Sequence, residues 1–130
     1  MKRLVIFVFG AMLLASCKQE EIKPEDVALQ AAKVYYEQLL AGDYNSFVDG
    51  TLKGDSVPQA YRQQLLLNMQ MFMERQKAEH KGIASVKPIR AVADTAAHTA
   101  ETFLSITYAD STREEIVVPM VERKGVWYMR

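Results

Sequence analysis

The 130-residue chain holds one cysteine, Cys17. No disulfide can form within the chain, and no pair of cysteines can share a metal. A surplus of one charge is also missing, because 16 Lys and Arg balance 16 Asp and Glu. No basic cluster is dense enough to track a nucleic acid, so that class of partner is not expected. The sequence contains no glycine-rich phosphate loop, no G-x-S-x-G and no H-E-x-x-H. Its most marked apolar run, Leu4 to Leu14, has eleven residues. A permanent membrane-spanning helix needs about 20. There is no internal repeat and no extended low-complexity segment, so repeat architectures are excluded.

The chain does begin with an address. Lys2 and Arg3 precede the apolar run, and small residues follow it, which is the order of a secretory signal peptide. Leu14-Ala15-Ser16-Cys17 resembles the bacterial lipobox. That resemblance implies cleavage before Cys17, attachment of diacylglycerol to its thiol and acylation of the new amino terminus. A lone thiol in an oxidising compartment is thereby accounted for. Each buried methylene adds about 0.8 kcal/mol, so two or three chains anchor firmly where one is marginal. The expected organisation is a leader over residues 1–16, a lipidated cysteine and tether over 17–23, and one domain over 24–130. Lys18-Gln19-Glu20-Glu21 resembles the acid-rich export signal of Bacteroidetes-type lipoproteins, and no Asp follows Cys17. The location implied is the cell envelope, on the periplasmic or surface face of the outer membrane. Loss of Lys2 and Arg3 with the leader makes the mature chain slightly acidic.

Residues 24–130 suffice for one core, burying roughly 65% of the unfolded chain's surface. Pro24-Glu25-Asp26 opens a helix, Val27 to Ala41 continues it with a broad apolar face, and Gly42 ends it. Asp43 caps a short second helix that fades by Gly50. Ser56 and Gln59 have capping-box spacing, which predicts a third helix from about Val57 to Glu79. Tyr61, Leu65, Met69, Phe72 and Met73 lie on or near one side of it, and Gly82 closes it. A strand follows from Ile83 to Ala93, with Pro88 marking an edge or a bulge. From His98 to Tyr108 alternation places His98, Ala100, Thr102, Leu104, Ile106 and Tyr108 on one face. Arg113 to Glu122 forms a third strand with Ile116, Val118 and Met120 on one face. Lys124-Gly125 turns the chain into a last strand, Val126 to Met129. Helices followed by an antiparallel meander predict an α+β domain with helices on one sheet face.

Ala41-Gly42-Asp43-Tyr44, Lys81-Gly82-Ile83 and Gly125-Val126-Trp127 resemble steps of the nuclear transport factor 2-like superfamily, and the small bacterial lipoproteins of unknown function within it. The resemblance spans about residues 24–130. It implies a curved sheet of about four strands forming a cone with a pocket at its wide end. Members include isomerases, dehydratases, scaffolds and non-enzymatic binding domains.

Enzymes of that superfamily place an Asp or His, often with a Tyr, inside the cone. Here His98 with Tyr35 or Tyr36 is the candidate acid–base set. A solvent-facing role near a strand end is the simpler account of His98, and no Asp falls mid-strand on the inward side. His80 ends a helix, where a charged imidazole complements the dipole. Its neighbour Glu79 points elsewhere, so the two make a poor metal site. Met69, Met71 and Met73 suggest a copper(I) site, but Met71 leaves the helix on the far side, and core packing explains the set better. Glu114-Glu115 reads as a solvated strand start. The sequence thus points first to a non-enzymatic, membrane-anchored domain binding a small apolar ligand or an envelope protein. A small lyase or isomerase and an envelope scaffold that dimerises through the sheet are the alternatives. No cofactor and no metal are expected.

Overall fold

The computed structural model describes residues 22–130. The leader, Cys17 and the first part of the tether therefore lie outside the described residues. Three helices precede four strands: α1 (Pro24–Leu40), α2 (Tyr44–Leu52), α3 (Gln59–His80), β1 (Ile83–Asp94), β2 (Thr99–Tyr108), β3 (Arg113–Arg123) and β4 (Val126–Met129). The strands form one antiparallel sheet in the order β1-β2-β3-β4. This is the expected α+β arrangement, with α1 laid across the inner sheet face.

Pro24 starts α1, where its missing N–H goes unneeded, and Glu25 and Asp26 face the positive end of the dipole. At the other end the Asp43 N–H donates to Gln38 O and the Gly42 N–H to Leu39 O. Gly42 takes φ +84°, the left-handed geometry this helix ending needs. Asp43 then caps α2, its side chain accepting from the Ser46 N–H at 3.2 Å. The expected capping box of α3 does not form. Pro58 is extended, with ψ 146°, and the helix starts only at Gln59. Ser56 is left two residues outside the cap position, beyond reach of the orphan amides.

The core sits between α1 and the sheet. Ala28, Ala32, Leu39, Leu104 and Met120 are almost wholly buried. Burial of each large member contributes about 1.5–3 kcal/mol. Thr102, also sealed off, donates from its Oγ1 to Val118 O at 2.7 Å, so no polar group is stranded there. Ala28 and Ala32 let α1 approach the strands closely, and the alternation of β2 supplies the opposite wall. β1 is an edge strand whose register shifts at Ile83/Ser85 and at Pro88/Arg90. Pro88 lacks an N–H to give to the ladder, and the bulge beside it bends the edge. The β1–β2 turn lies one residue later than expected. It occupies Thr95 to His98, and β2 begins at Thr99.

Candidate functional site

At one end of the sheet, the start of β1, the end of β2 and the start of β3 meet the middle of α1 and the last turns of α3. The space enclosed there is about 290 Å³. Tyr36 from α1, Phe72 and Gln76 from α3, Ile83, Ile106, Tyr108, Glu114 and Ile116 from the sheet line it. Ile106, Tyr108, Glu114 and Ile116 arrive by strand parity, whereas Ile83 is brought in by the register shift at the start of β1. Glu114 is paired with Ile106 across β2 and β3, and Ile116 with Leu104. Glu114 therefore has the inward parity of Ile116, Val118 and Met120, although at the start of the strand it is still exposed, as expected of a solvated strand start.

The Tyr108 phenol donates to Glu114 Oε2 at 2.5 Å. Burial, and then the Glu114 carboxylate, push the Tyr108 pKa up to about 12. The phenol thus remains a neutral donor across the physiological range. Burial also raises the pKa of Tyr36, whose ring meets Phe47 edge-on at 5.4 Å between centroids. Behind Tyr108, the His80 ring stacks on it at 4.3 Å with 26° between planes. His80 Nδ1 lies 3.1 Å from Asp110 Oδ2. Two hydrogen bonds from Thr112 are the largest influence holding the Asp110 carboxyl down at about 2, and His80 adds to them. Backbone bonds tie the same corner together, from Asp110 N–H to His80 O and from Ala109 N–H to Gly82 O. The β2–β3 hairpin is thereby clamped to the end of α3, which fixes the polar wall of the pocket.

The structure does not bring together the residues singled out from the sequence. His98 lies in the β1–β2 turn with φ 56°, not on the inward face of a strand. Its side chain is 64% exposed and sits 3.0 Å from Glu122 Oε1. Tyr35 points its hydroxyl to Trp127 O at 2.7 Å, and burial raises its pKa. Of the three, only Tyr36 lines the pocket. Met69 and Met73 pack against the core, whereas Met71 is half exposed. Among the described residues, no three His, Cys, Asp or Glu side chains are grouped to hold a metal ion.

Another hollow, about 450 Å³, lies between the α1–α2 corner and α3. Its walls are largely glutamine and asparagine amides with Tyr44 and Leu67, and they carry no carboxylate or cationic side chain. Of these two the smaller pocket is the better candidate, because it joins apolar walls to a fixed ionisable pair.

No family model and no curated protein sequence matches the chain. Among solved structures, the fold is similar to that of a Campylobacter jejuni protein whose name proposes an NTF2-like (nuclear transport factor 2-like) transpeptidase. The TM-score is 0.59 at 11% identity, over 75% of this chain and 92% of that one. At that identity the likeness bears on fold alone. The domain has the nuclear transport factor 2-like architecture, helices packed on one four-stranded antiparallel sheet.

Proposed function

We propose that this chain is a lipid-anchored binding domain of the bacterial cell envelope, held to the outer membrane through Cys17, whose smaller pocket takes up a small, mainly apolar molecule. The observation that carries the binding reading is the wall itself. Isoleucine and aromatic side chains surround one fixed polar pair, Tyr108 with Glu114. Pockets that orient ligands are built this way, with apolar area for affinity and few polar groups for direction. A lyase or isomerase built on His98 finds no support, since that ring is solvent-facing and outside the pocket. The anchor reading rests on the lipobox-like run that ends at Cys17.

The test is native mass spectrometry of the full chain, extracted from its own host in mild detergent. A small molecule retained by the wild type and lost from Ile116→Trp, which fills the pocket, is the expected result. Circular dichroism and melting of the variant establish that it folds, and Ile83→Phe serves if it does not. A molecule retained equally by wild type and a folded pocket-filled variant removes the pocket from the account.

A further inference from the structure

We propose that the smaller pocket is a site for a substituted ammonium group, an amine or quaternary head on an apolar body, enclosed by Tyr36, Phe72 and Tyr108 and countered by Glu114. This rests on the binding reading above and names the ligand class of that same pocket.

Three aromatic rings reach one small cavity from three separate elements: Tyr36 from α1, Phe72 from α3 and Tyr108 from β2. A ring face attracts a cation through its quadrupole, and the effect grows when water is excluded. Neither tyrosine ionises near neutral pH, so both rings keep that character. The same cavity holds one carboxylate, Glu114, fixed in place by the Tyr108 hydroxyl. An ionised carboxylate accepts about four hydrogen bonds, so one bond from a phenol leaves capacity for a charged partner.

Charge points the same way. Among the described residues, no Lys, Arg or His lines the pocket. The charged groups acting on the Tyr108 phenol are Glu114, Asp110 and Glu79, all acidic. His80 stands behind the Tyr108 ring, and a proton on it is balanced by Asp110. Arg113 precedes Glu114 on β3, but strand alternation sends its side chain to the opposite sheet face. An anion would find no cationic partner here. A neutral apolar group would offer Glu114, exposed at the start of β3, no partner. A cation both fills the cage and satisfies the carboxylate. The volume, about 290 Å³, sits at the small end of ligand pockets and suits a compact head.

Substituted ammonium groups occur free and on lipid headgroups, and the experiment separates the two. The full chain in maltoside detergent is titrated calorimetrically with choline, with neohexyl alcohol (its uncharged isostere) and with dihexanoylphosphatidylcholine. Choline is expected to bind at least about tenfold tighter than the alcohol. Glu114→Gln removes that difference, and Phe72→Leu weakens choline about fivefold with an unchanged circular dichroism spectrum. Tighter binding of the phospholipid than of choline assigns the site to a headgroup, and equal or weaker binding assigns it to a free ammonium compound. Equal affinity for choline and its isostere overturns the proposal, as does absence of choline binding at millimolar concentration. If the host nonetheless yields a neutral or anionic molecule lost from Ile116→Trp, the binding reading stands and only the ammonium assignment fails.

Discussion

At Gly50 an added Cβ would meet the Tyr35 ring at 2.6 Å, closer than real contacts allow. Tyr35 cannot yield freely, because its hydroxyl is bonded to Trp127 O at 2.7 Å across the domain. Gly50→Ala should therefore lower unfolding free energy by about 1–3 kcal/mol in a urea titration, through overpacking. Tyr35→Phe removes the hydrogen bond but keeps the ring, and should cost only about 1 kcal/mol. If Gly50→Ala costs less than Tyr35→Phe, the close packing described is wrong. Two titrations belong to the same scale. Asp110 falls from 3.8 to about 2 in the fold, so its charged form is the favoured one. It contributes stability in full above the ordinary carboxyl range, and this is lost as pH falls through about 2. Asp110→Asn should flatten the acid limb of a stability profile below about pH 4 and leave its alkaline limb unchanged. Tyr108 has the opposite sign, since folding raises it from 10.0 to about 12 and favours the neutral phenol. Its contribution is present below about pH 10 and is lost as pH rises through about 12. Of the six tyrosines, Tyr35, Tyr36 and Tyr108 are raised by burial and should ionise after the exposed ones in an ultraviolet titration. Tyr108→Phe should remove the last part of that late phase, near pH 12.

The long third helix differs in kind from the first. α1 seals Ala28, Ala32 and Leu39 against the sheet. α3 runs 22 residues without one fully buried side chain, and Tyr61, Leu67 and Met71 are about half exposed. Near its N-terminal end exposed side-chain bonds from Arg62 reach Asp49 and Asn45 of α2, whereas at its C-terminal end backbone bonds from the β2–β3 turn reach His80 and Gly82. Local opening takes the least free energy where few apolar contacts are lost. Hydrogen exchange should therefore release the amides between Gln59 and about Asn68 well before those of α1, with the Gln76–His80 turn intermediate. Equal protection along α3 and α1 would contradict this packing. The same contrast explains what the sequence could disclose. Alternation in β2, the glycine after α1 and the Lys124-Gly125 turn are local signals, and they placed the elements and their inward faces. Ser56 misled because capping-box spacing says nothing of Pro58 adopting an extended backbone. The site was less legible, since its walls come from five elements and periodicity does not say which ends meet. One clue was available. Glu114 has the parity of Ile116, Val118 and Met120, and that parity puts a carboxylate on the inner face. His98 failed for the complementary reason, being one residue beyond the strand whose alternation seemed to include it.

At the scale of the whole molecule, the described fold and the leader make separable claims. Among the described residues, the core that holds α1 to the sheet is built within residues 28–129. The membrane attachment proposed above is assigned to acyl chains on Cys17, and none of the described helices is long and apolar enough to cross a membrane. Cys17→Ser replaces the thiol that the lipobox-like run presents, with a hydroxyl the thioether chemistry does not use. The expected outcome is an export-competent but unlipidated chain that labels with no palmitate and stays uncleaved before residue 17. Its domain should melt at the same temperature as the wild type's, since the core is untouched. Phase partitioning in a cloud-point detergent, alongside palmitate labelling, reads this directly. Two or three acyl chains hold a protein in the detergent phase firmly, whereas a retained leader of eleven apolar residues anchors it less securely. Unchanged palmitate labelling of the serine variant would place any lipid elsewhere and sink the anchor reading, leaving the pocket and its ligand to be judged on their own tests.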